Sequence, residues 1–340
     1  MKERGIGVAA SHYPTGLSGG GDTTQAILKV GPDGSADLIV SCVDLGQGAK
    51  TVLAQIAAEE LGIAYERVKV NNQGTDTGPL CFGSFASRVT YSAGNAVIEA
   101  AREVRSILFE AAAPLLQATP EELSAAEGRI FVRDDPDRSM AFDDVASTAG
   151  ILMKKLIVGH GQFARDRSPP DPETGECDHF CTLAWGATLA EVEVDTETGE
   201  VQVPKLVSAF DAGRAINPLL VEGQIEGGAI MGMGAALMEN LYPRYPSLDG
   251  QPSNLNTYVV PTAPDIPEQM EAVIVECPSS GGPYGAKGIG EMTASGAAPA
   301  ILGAIHDAVG VWIDEIPVTP ERLLRALEEG DRAREDRDED

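Results

Sequence analysis

The 340-residue chain is 43% apolar and 23% charged, a globular balance with length enough for one large domain or two lobes. Its formal net charge of −27 would repel phosphate backbones, so nucleic acid is not an expected partner. No apolar run reaches the length of a bilayer span, and Met1-Lys2-Glu3-Arg4 enters a Gly/Ala stretch unlike a signal peptide, so the expected location is the cytoplasm.

In chain order, apolar runs at Ala26–Val30 and Ala36–Val43 flank Gly31-Pro32-Asp33-Gly34, whose Pro and Gly set turn dihedrals, and predict a hairpin. Gly46-Gln47-Gly48 precedes a helical period at Val52, Ile56, Ala57 and Leu61 that Gly62 closes. Val68–Asn71 reads as a strand. A glycine- and hydroxyl-rich loop then runs from Gln73 to Thr90, before a long helix over Ala93–Leu116 and a short one from Pro120. Residues 163–182 are the weakest-structured stretch and mark the boundary between two lobes, 1–165 and 183–327.

The second lobe repeats the theme. Trp185–Val194 and Val201–Phe210 flank the turn Asp195–Glu200 and predict another hairpin. Asn217-Pro218 can cap a helix over Leu219–Leu241, and Thr293–Val309 forms a further helix; both are rich in small residues, which implies close packing. The tail 328–340, with eight acids against three arginines, reads as acidic and disordered. Hairpins outnumber crossovers, so the expected class is α+β with two lobes.

Five cysteines stand at 42, 81, 177, 181 and 277. Cys177 and Cys181, with His179 between them, read as an ordinary loop of reduced thiols, because no second ligand pair follows as a zinc site would need. No CxxC cluster provides an iron–sulfur centre, so electrons handled here would leave through another subunit.

Three glycine-rich loops, Gly46–Gly48, Gly83–Thr90 and Gly285–Gly290, each lie beside a helix start. Backbone N–H groups and the helix dipole suit an oxyanion there, and three such loops suggest a large anionic cofactor. None matches the P-loop or dinucleotide fingerprints. Gln47 and Gln224 are neutral amides set in glycine, able to donate to an oxo group and accept from a ring N–H, or simply to face water from turns. Glu291 has two readings: an acid stabilised at a helix start, or a general base in a dry, glycine-walled pocket, where desolvation favours a neutral carboxyl.

In order, Asp44–Gly48, Gly74-Thr75-Asp76, Gly83–Arg88, Gly213–Pro218, Glu222–Gly228, Gly285–Glu291 and the closing Ile316–Arg322 resemble the xanthine dehydrogenase/aldehyde oxidase family of molybdenum hydroxylases over about residues 5–327. The resemblance implies the two-lobed molybdenum-cofactor-binding fold of that family, with molybdopterin cytosine dinucleotide as cofactor. It gives the cradle to Gly46, Gln47 and Gly48, then Ser84, Phe85, Ala86, Ser87, Arg88 and Thr90, then Gln224, and the backbone at Lys287, Gly288 and Gly290. The metal would be held by the pterin dithiolene, without direct protein ligands, near Gln47, Ala86 and Glu291. Glu291 falls where the family places its base, and water would supply the oxygen atom.

His12 and Tyr13, expected just before the first strand, match a segment bordering the family's substrate pocket, where the Tyr13 phenol could donate to an aromatic substrate. Family catalytic subunits carry a comparable length before this region. The chain is therefore expected to share its site with a larger molybdopterin subunit, in a natively split enzyme with iron–sulfur and FAD subunits as electron acceptors. The implied activity is hydroxylation of a small N-heterocyclic aromatic. Aldehyde or carbon monoxide oxidation, a non-catalytic assembly subunit and a binding module for another anion remain open.

Overall fold

The computed structural model describes every residue except 19–21, 73, 75, 166–168, 178, 240–257, 339 and 340, and gives the backbone alone for 331–338. Thr75 of the Gly-Thr-Asp motif and the end of the helix expected at Leu219–Leu241 therefore lie outside the described residues. No described helix is long and apolar enough to cross a membrane.

Two four-stranded sheets, each with helices on one face, build the molecule. Strands β1 (Lys2–Pro14), β2 (Thr23–Val30) and β3 (Ala36–Val40) lead to α1 (Ala49–Leu61), β4 (Val68–Asn71) and α2 (Gly94–Leu116). A small meander, β5 (Leu123–Ala126), β6 (Arg129–Val132) and β7 (Asp135–Ala141), precedes α3 (Phe142–Ser147) and β8 (Val158–Ala164). Then follow β9 (Leu183–Asp195), β10 (Val201–Asp211), α4 (Pro218–Leu237), β11 (Gln269–Val275), α5 (Ala297–Val309) and α6 (Pro320–Asp338). The first sheet has the order β4-β3-β2-β8 and the second β1-β9-β10-β11.

Both expected hairpins form, β2 with β3 and β9 with β10, each antiparallel. Gly62 closes α1 in the left-handed region, φ 69°. Asn217 caps α4, its Oδ1 accepting from the Leu220 N–H at 3.1 Å.

The N-terminal segment departs from expectation. Residues 2–14 are a full strand, so His12 and Tyr13 lie within it, and it pairs with β9 in the second sheet, Lys2 opposite Asp195 through Pro14 opposite Leu183. The first lobe therefore begins after β1, and the chain returns to the second sheet only after residue 182. Glycine explains why the strand is illegible: Gly5 and Gly7 interrupt its apolar pattern because α5 lies directly on them. A Cβ would fall 2.1 Å from the Ala304 carbonyl oxygen at Gly5 and 2.0 Å from that of Ala300 at Gly7. The same device hides β8. A Cβ at Gly159 would meet the Ala100 carbonyl oxygen at 2.1 Å, and one at Gly161 that of Ala96 at 1.8 Å. Each sheet thus carries its main helix on a glycine pair, alanine against bare backbone.

The acidic tail differs too. The stretch expected to be disordered from 328 carries helix α6 on to Asp338. Glutamate and arginine, both good helix formers, make up six of the eleven residues from 328 to 338, and their propensity outweighs the charge that suggested disorder.

Close approach of this kind is tested by adding volume. Gly161→Val should overpack the α2 contact and cost about 1–3 kcal/mol or more, read as a lower urea midpoint. Gly303→Ala, whose Cβ would only touch Gly7 Cα at 3.7 Å, should be neutral or stabilising by up to about 1 kcal/mol through helix propensity.

Candidate functional site

A cavity of about 580 Å³ opens between the two sheets' loops. It is lined by Gly46 and Gln47 ahead of α1, by Ser84, Phe85, Ser87, Arg88 and Thr90, by Gln224 on α4, and by Lys287–Glu291. Elements nearly 250 residues apart in sequence thus converge on one space. Of the residues expected there, Gly48, Ala86 and Tyr13 are not on its wall.

The 84–88 loop and the 285–291 loop meet backbone to backbone. Ala86 and Ser87 both adopt left-handed φ, 49° and 48°, a strain of the kind found at ligand-binding turns. This turn aims the Ser87 N–H at Glu291, whose Oε2 accepts at 2.5 Å, with the Ser87 hydroxyl donating to the same atom at 3.1 Å. Gly288 fits beneath it: a Cβ there would lie 1.7 Å from the Ser87 carbonyl oxygen. A Cβ at Gly290 would lie 3.2 Å from the Gln224 Oε1.

Glu291 stands at the start of a single helical turn, Met292–Ala294, but its side chain makes no capping bond, so the helix-start reading does not describe what the carboxylate does. The dry pocket is corrected as well. Glu291 is exposed in this chain. Tyr13, on β1, is its neighbour. Burial, then the Glu291 charge and a hydrogen bond to it, push the Tyr13 phenol above its ordinary range.

Several expected cofactor contacts are already committed within the protein. Arg88 is wholly buried with Asp22, 0% and 1% exposed, and their ion pair is joined by donation to Thr24 Oγ1 and to the Gly83 carbonyl at 2.8 Å. Its guanidinium therefore holds the loop's shape. Lys287 donates to Asp211 Oδ2 at 2.6 Å and to the Leu183 carbonyl at 3.0 Å, anchoring the loop to the second sheet. Tyr284 anchors it to the first lobe by donating to the buried Glu60 at 3.1 Å, where Arg105 also pairs at 3.3 Å.

The GQG loop is not an open anion cradle either. Asp44 accepts from the N–H groups of Gly46 at 3.0 Å, Gly48 at 3.3 Å and Lys50 at 3.0 Å, filling the α1 N-terminus itself. Burial alone would raise the Asp44 carboxyl; those three backbone donors outweigh it and hold it below its ordinary range. Gly48 serves this turn at φ 83°, its α-carbon backed by Leu220. The Gln47 amide accepts from Leu45 N–H at 2.5 Å and donates to the Val43 carbonyl at 3.0 Å, leaving one N–H uncommitted.

What remains uncommitted is specific. Among the described residues, the side chains of Thr90, Gln224 and Arg214 line the cavity without a hydrogen-bond or ion-pair partner. Arg214 was not expected as a site residue. It is the only basic residue between Lys205 and Arg244, and it stands three residues ahead of the α4 cap, the sequence signal that could have found it. No described group of three or more His, Cys, Asp or Glu side chains is placed to hold a metal ion, and Cys177 Sγ lies 3.0 Å from His179 Nδ1 in its loop.

The Tyr13 contact has a direct test. Glu291→Gln should lower the Tyr13 pKa while leaving the part due to burial, read by spectrophotometric titration with Tyr13→Phe assigning the transition. An unchanged titration would refute the contact.

Known proteins with this fold fit the geometry. The family model described as "Molybdopterin cofactor-binding domain" matches residues 1–267. The Escherichia coli (strain K12) protein described as a putative xanthine dehydrogenase molybdenum-binding subunit is 33% identical over 94% of this chain and 41% of its own length. The gamma subunit of the 6-hydroxypseudooxynicotine dehydrogenase complex of Paenarthrobacter nicotinovorans is likewise 33% identical, over 94% and 39%. The structure of quinoline 2-oxidoreductase from Pseudomonas putida 86 superimposes with a TM-score of 0.84 at 30% identity, covering 96% of this chain and 42% of that one. The chain thus spans about two-fifths of the length of these relatives. On fold, motif order and matched length, the chain belongs to the molybdopterin cofactor-binding domain family of xanthine dehydrogenase-type proteins.

Proposed function

We propose that this chain supplies the general base and part of the cofactor cradle of a molybdenum hydroxylase that oxidises an N-heterocyclic aromatic with water as the oxygen source. The observation that carries the reading is the Ser87–Glu291 pairing at the edge of a cavity whose uncommitted groups are two neutral polar side chains and one cation. Two relatives bear names of N-heterocycle enzymes, quinoline 2-oxidoreductase and the nicotine 6-hydroxylase large subunit, the latter 33% identical over 88% of this chain. The complete enzyme would join this chain to a larger molybdopterin subunit, an iron–sulfur subunit and an FAD subunit.

The uncommitted groups suit a molybdenum–pterin cofactor, in our reading molybdopterin cytosine dinucleotide. Arg214 offers charge to an anionic phosphate in a chain of net charge −27, while Gln224, Thr90 and the remaining Gln47 N–H offer neutral hydrogen bonds to a pterin or oxo group. When bound, the molybdenum centre supplies two-electron redox chemistry and activation of water-derived oxygen. Glu291 then takes a proton at its carboxylate. Ser87 fixes the carboxylate in place through two donations to Oε2. The Tyr13 phenol, on β1, stands beside the same carboxylate. The far wall of the pocket, contributed by the larger subunit, would exclude water from the base.

In the assembled complex, Glu291→Gln should keep molybdenum content while lowering turnover by about 10²–10⁴-fold; near wild-type turnover would sink the base assignment. Arg214→Ala should instead reduce retained molybdenum and cytidine nucleotide severalfold, most at low salt where the lost charge is least screened, with Arg214→Lys retaining part of both. Metal analysis and nucleotide release on denaturation read this, and unaltered contents would remove Arg214 from the cradle.

A further inference from the structure

Each sheet leaves its glycine-bearing strand, β8 or β1, at an edge, with alternate backbone N–H groups directed away from the sheet. On β8 two of those groups are taken. The His160 N–H donates to Glu103 Oε2 at 2.6 Å and the Gln162 N–H to Glu99 Oε2 at 2.6 Å, both acceptors standing on α2. The glycine contacts explain the spacing. Ala96 and Ala100 lie on Gly161 and Gly159, so α2 runs along the edge and the residues at 99 and 103 overhang it. The second sheet repeats the arrangement, with Ala300 and Ala304 on Gly7 and Gly5. Asp307 follows Ala304 as Glu103 follows Ala100, and it takes the Ile6 N–H at 2.9 Å. Only half of the arrangement recurs. The counterpart of Glu99, just before Ala304, is Gly303, so no carboxylate of that turn stands over Val8.

Stability alone does not account for these bonds. Glu99 and Glu103 are exposed, and water would serve the same N–H groups. Holding a long side chain in one rotamer costs entropy that offsets most of a surface hydrogen bond. What the carboxylates change is access. Each oxygen occupies the place that the carbonyl of an added strand would take, and each sets a charge against the edge. A seven-residue edge strand with free donors is a template for a second copy, because antiparallel pairing about a two-fold axis lets the strand serve as its own partner. We propose that Glu99 and Glu103 are gatekeepers that close the β8 edge of the first sheet against strand addition by another copy of this chain. The proposal is independent of the reading given under Proposed function, since neither residue lines the cavity. The β1 edge is closed in the same way only at Ile6.

Amide exchange and sedimentation of the full chain test this together. In wild type the Gln162 amide should exchange at least about tenfold more slowly than that of Val8, its uncapped counterpart. Glu99→Ala/Glu103→Ala should free the His160 and Gln162 amides and, at roughly 100 μM, sediment as a larger species than wild type. Adding Gln162→Pro, which removes an edge donor, should return that variant to wild-type sedimentation. Glu99→Gln/Glu103→Gln keeps an acceptor oxygen at each place and should sediment as wild type. So should Glu66→Ala/Glu121→Ala, which removes the same charge from elsewhere on the surface. Far-UV circular dichroism of the acid variants should match wild type, since the replaced residues are exposed. An alanine double variant of Glu99 and Glu103 that sediments as wild type overturns the proposal, even if its two amides exchange faster. Association that persists with Gln162→Pro does so too. Equal exchange at Gln162 and Val8 in wild type would show that the caps do not form in solution, and would overturn it without any variant.

Discussion

The molecule is organised around one close approach, that of the Ser87 backbone to Gly288 and Glu291. Two loops from different lobes touch there without side chains between them, because Gly288 presents no Cβ and Ser87 turns its N–H inward from a left-handed conformation. Everything else at the site serves that contact. Arg88 and Asp22 hold one loop from within the first lobe, at a desolvation cost repaid only by full pairing. Lys287 with Asp211, and Tyr284 with Glu60, hold the other loop from opposite sides, so the carboxylate is placed by both lobes at once.

Charge is distributed with the same economy. Two of the three cations lining the cavity are neutralised inside the protein, and only Arg214 faces it uncommitted. All three lie in family motifs, but sequence assigned Arg88 and Lys287 to the cradle and passed over Arg214; partners distant in the chain reverse that order. The same sorting applies to amides. Gln47 is largely spent on its own loop, whereas Gln224 is not, although both sit beside glycine.

How much was legible follows from these particulars. Hairpins with turn residues, helices with a clear period and the order of the glycine loops all read directly, because their signals are local. Strands β1 and β8 did not, since a glycine pair chosen for a helix on the far side erases the alternation that marks a strand. Meander strands β5 and β6 turn through Glu127-Gly128, both at positive φ, and glutamate is a poor announcer of such a turn. At the site, the residue types and their convergence were visible, but not which donors were already satisfied. Asp44 is the clearest case: its role is to receive the very N–H groups that glycine seemed to leave open.

That choice bears on how such a protein is assembled. A nest of backbone donors waiting for a phosphate would be a costly thing to carry through synthesis and folding, and would attract whatever anion the surroundings offered. With its own carboxylate in the nest, the loop ahead of α1 reaches its final shape unaided. Maturation can then be a late, separate event, in which an incoming cofactor meets a finished surface and has no need to organise one.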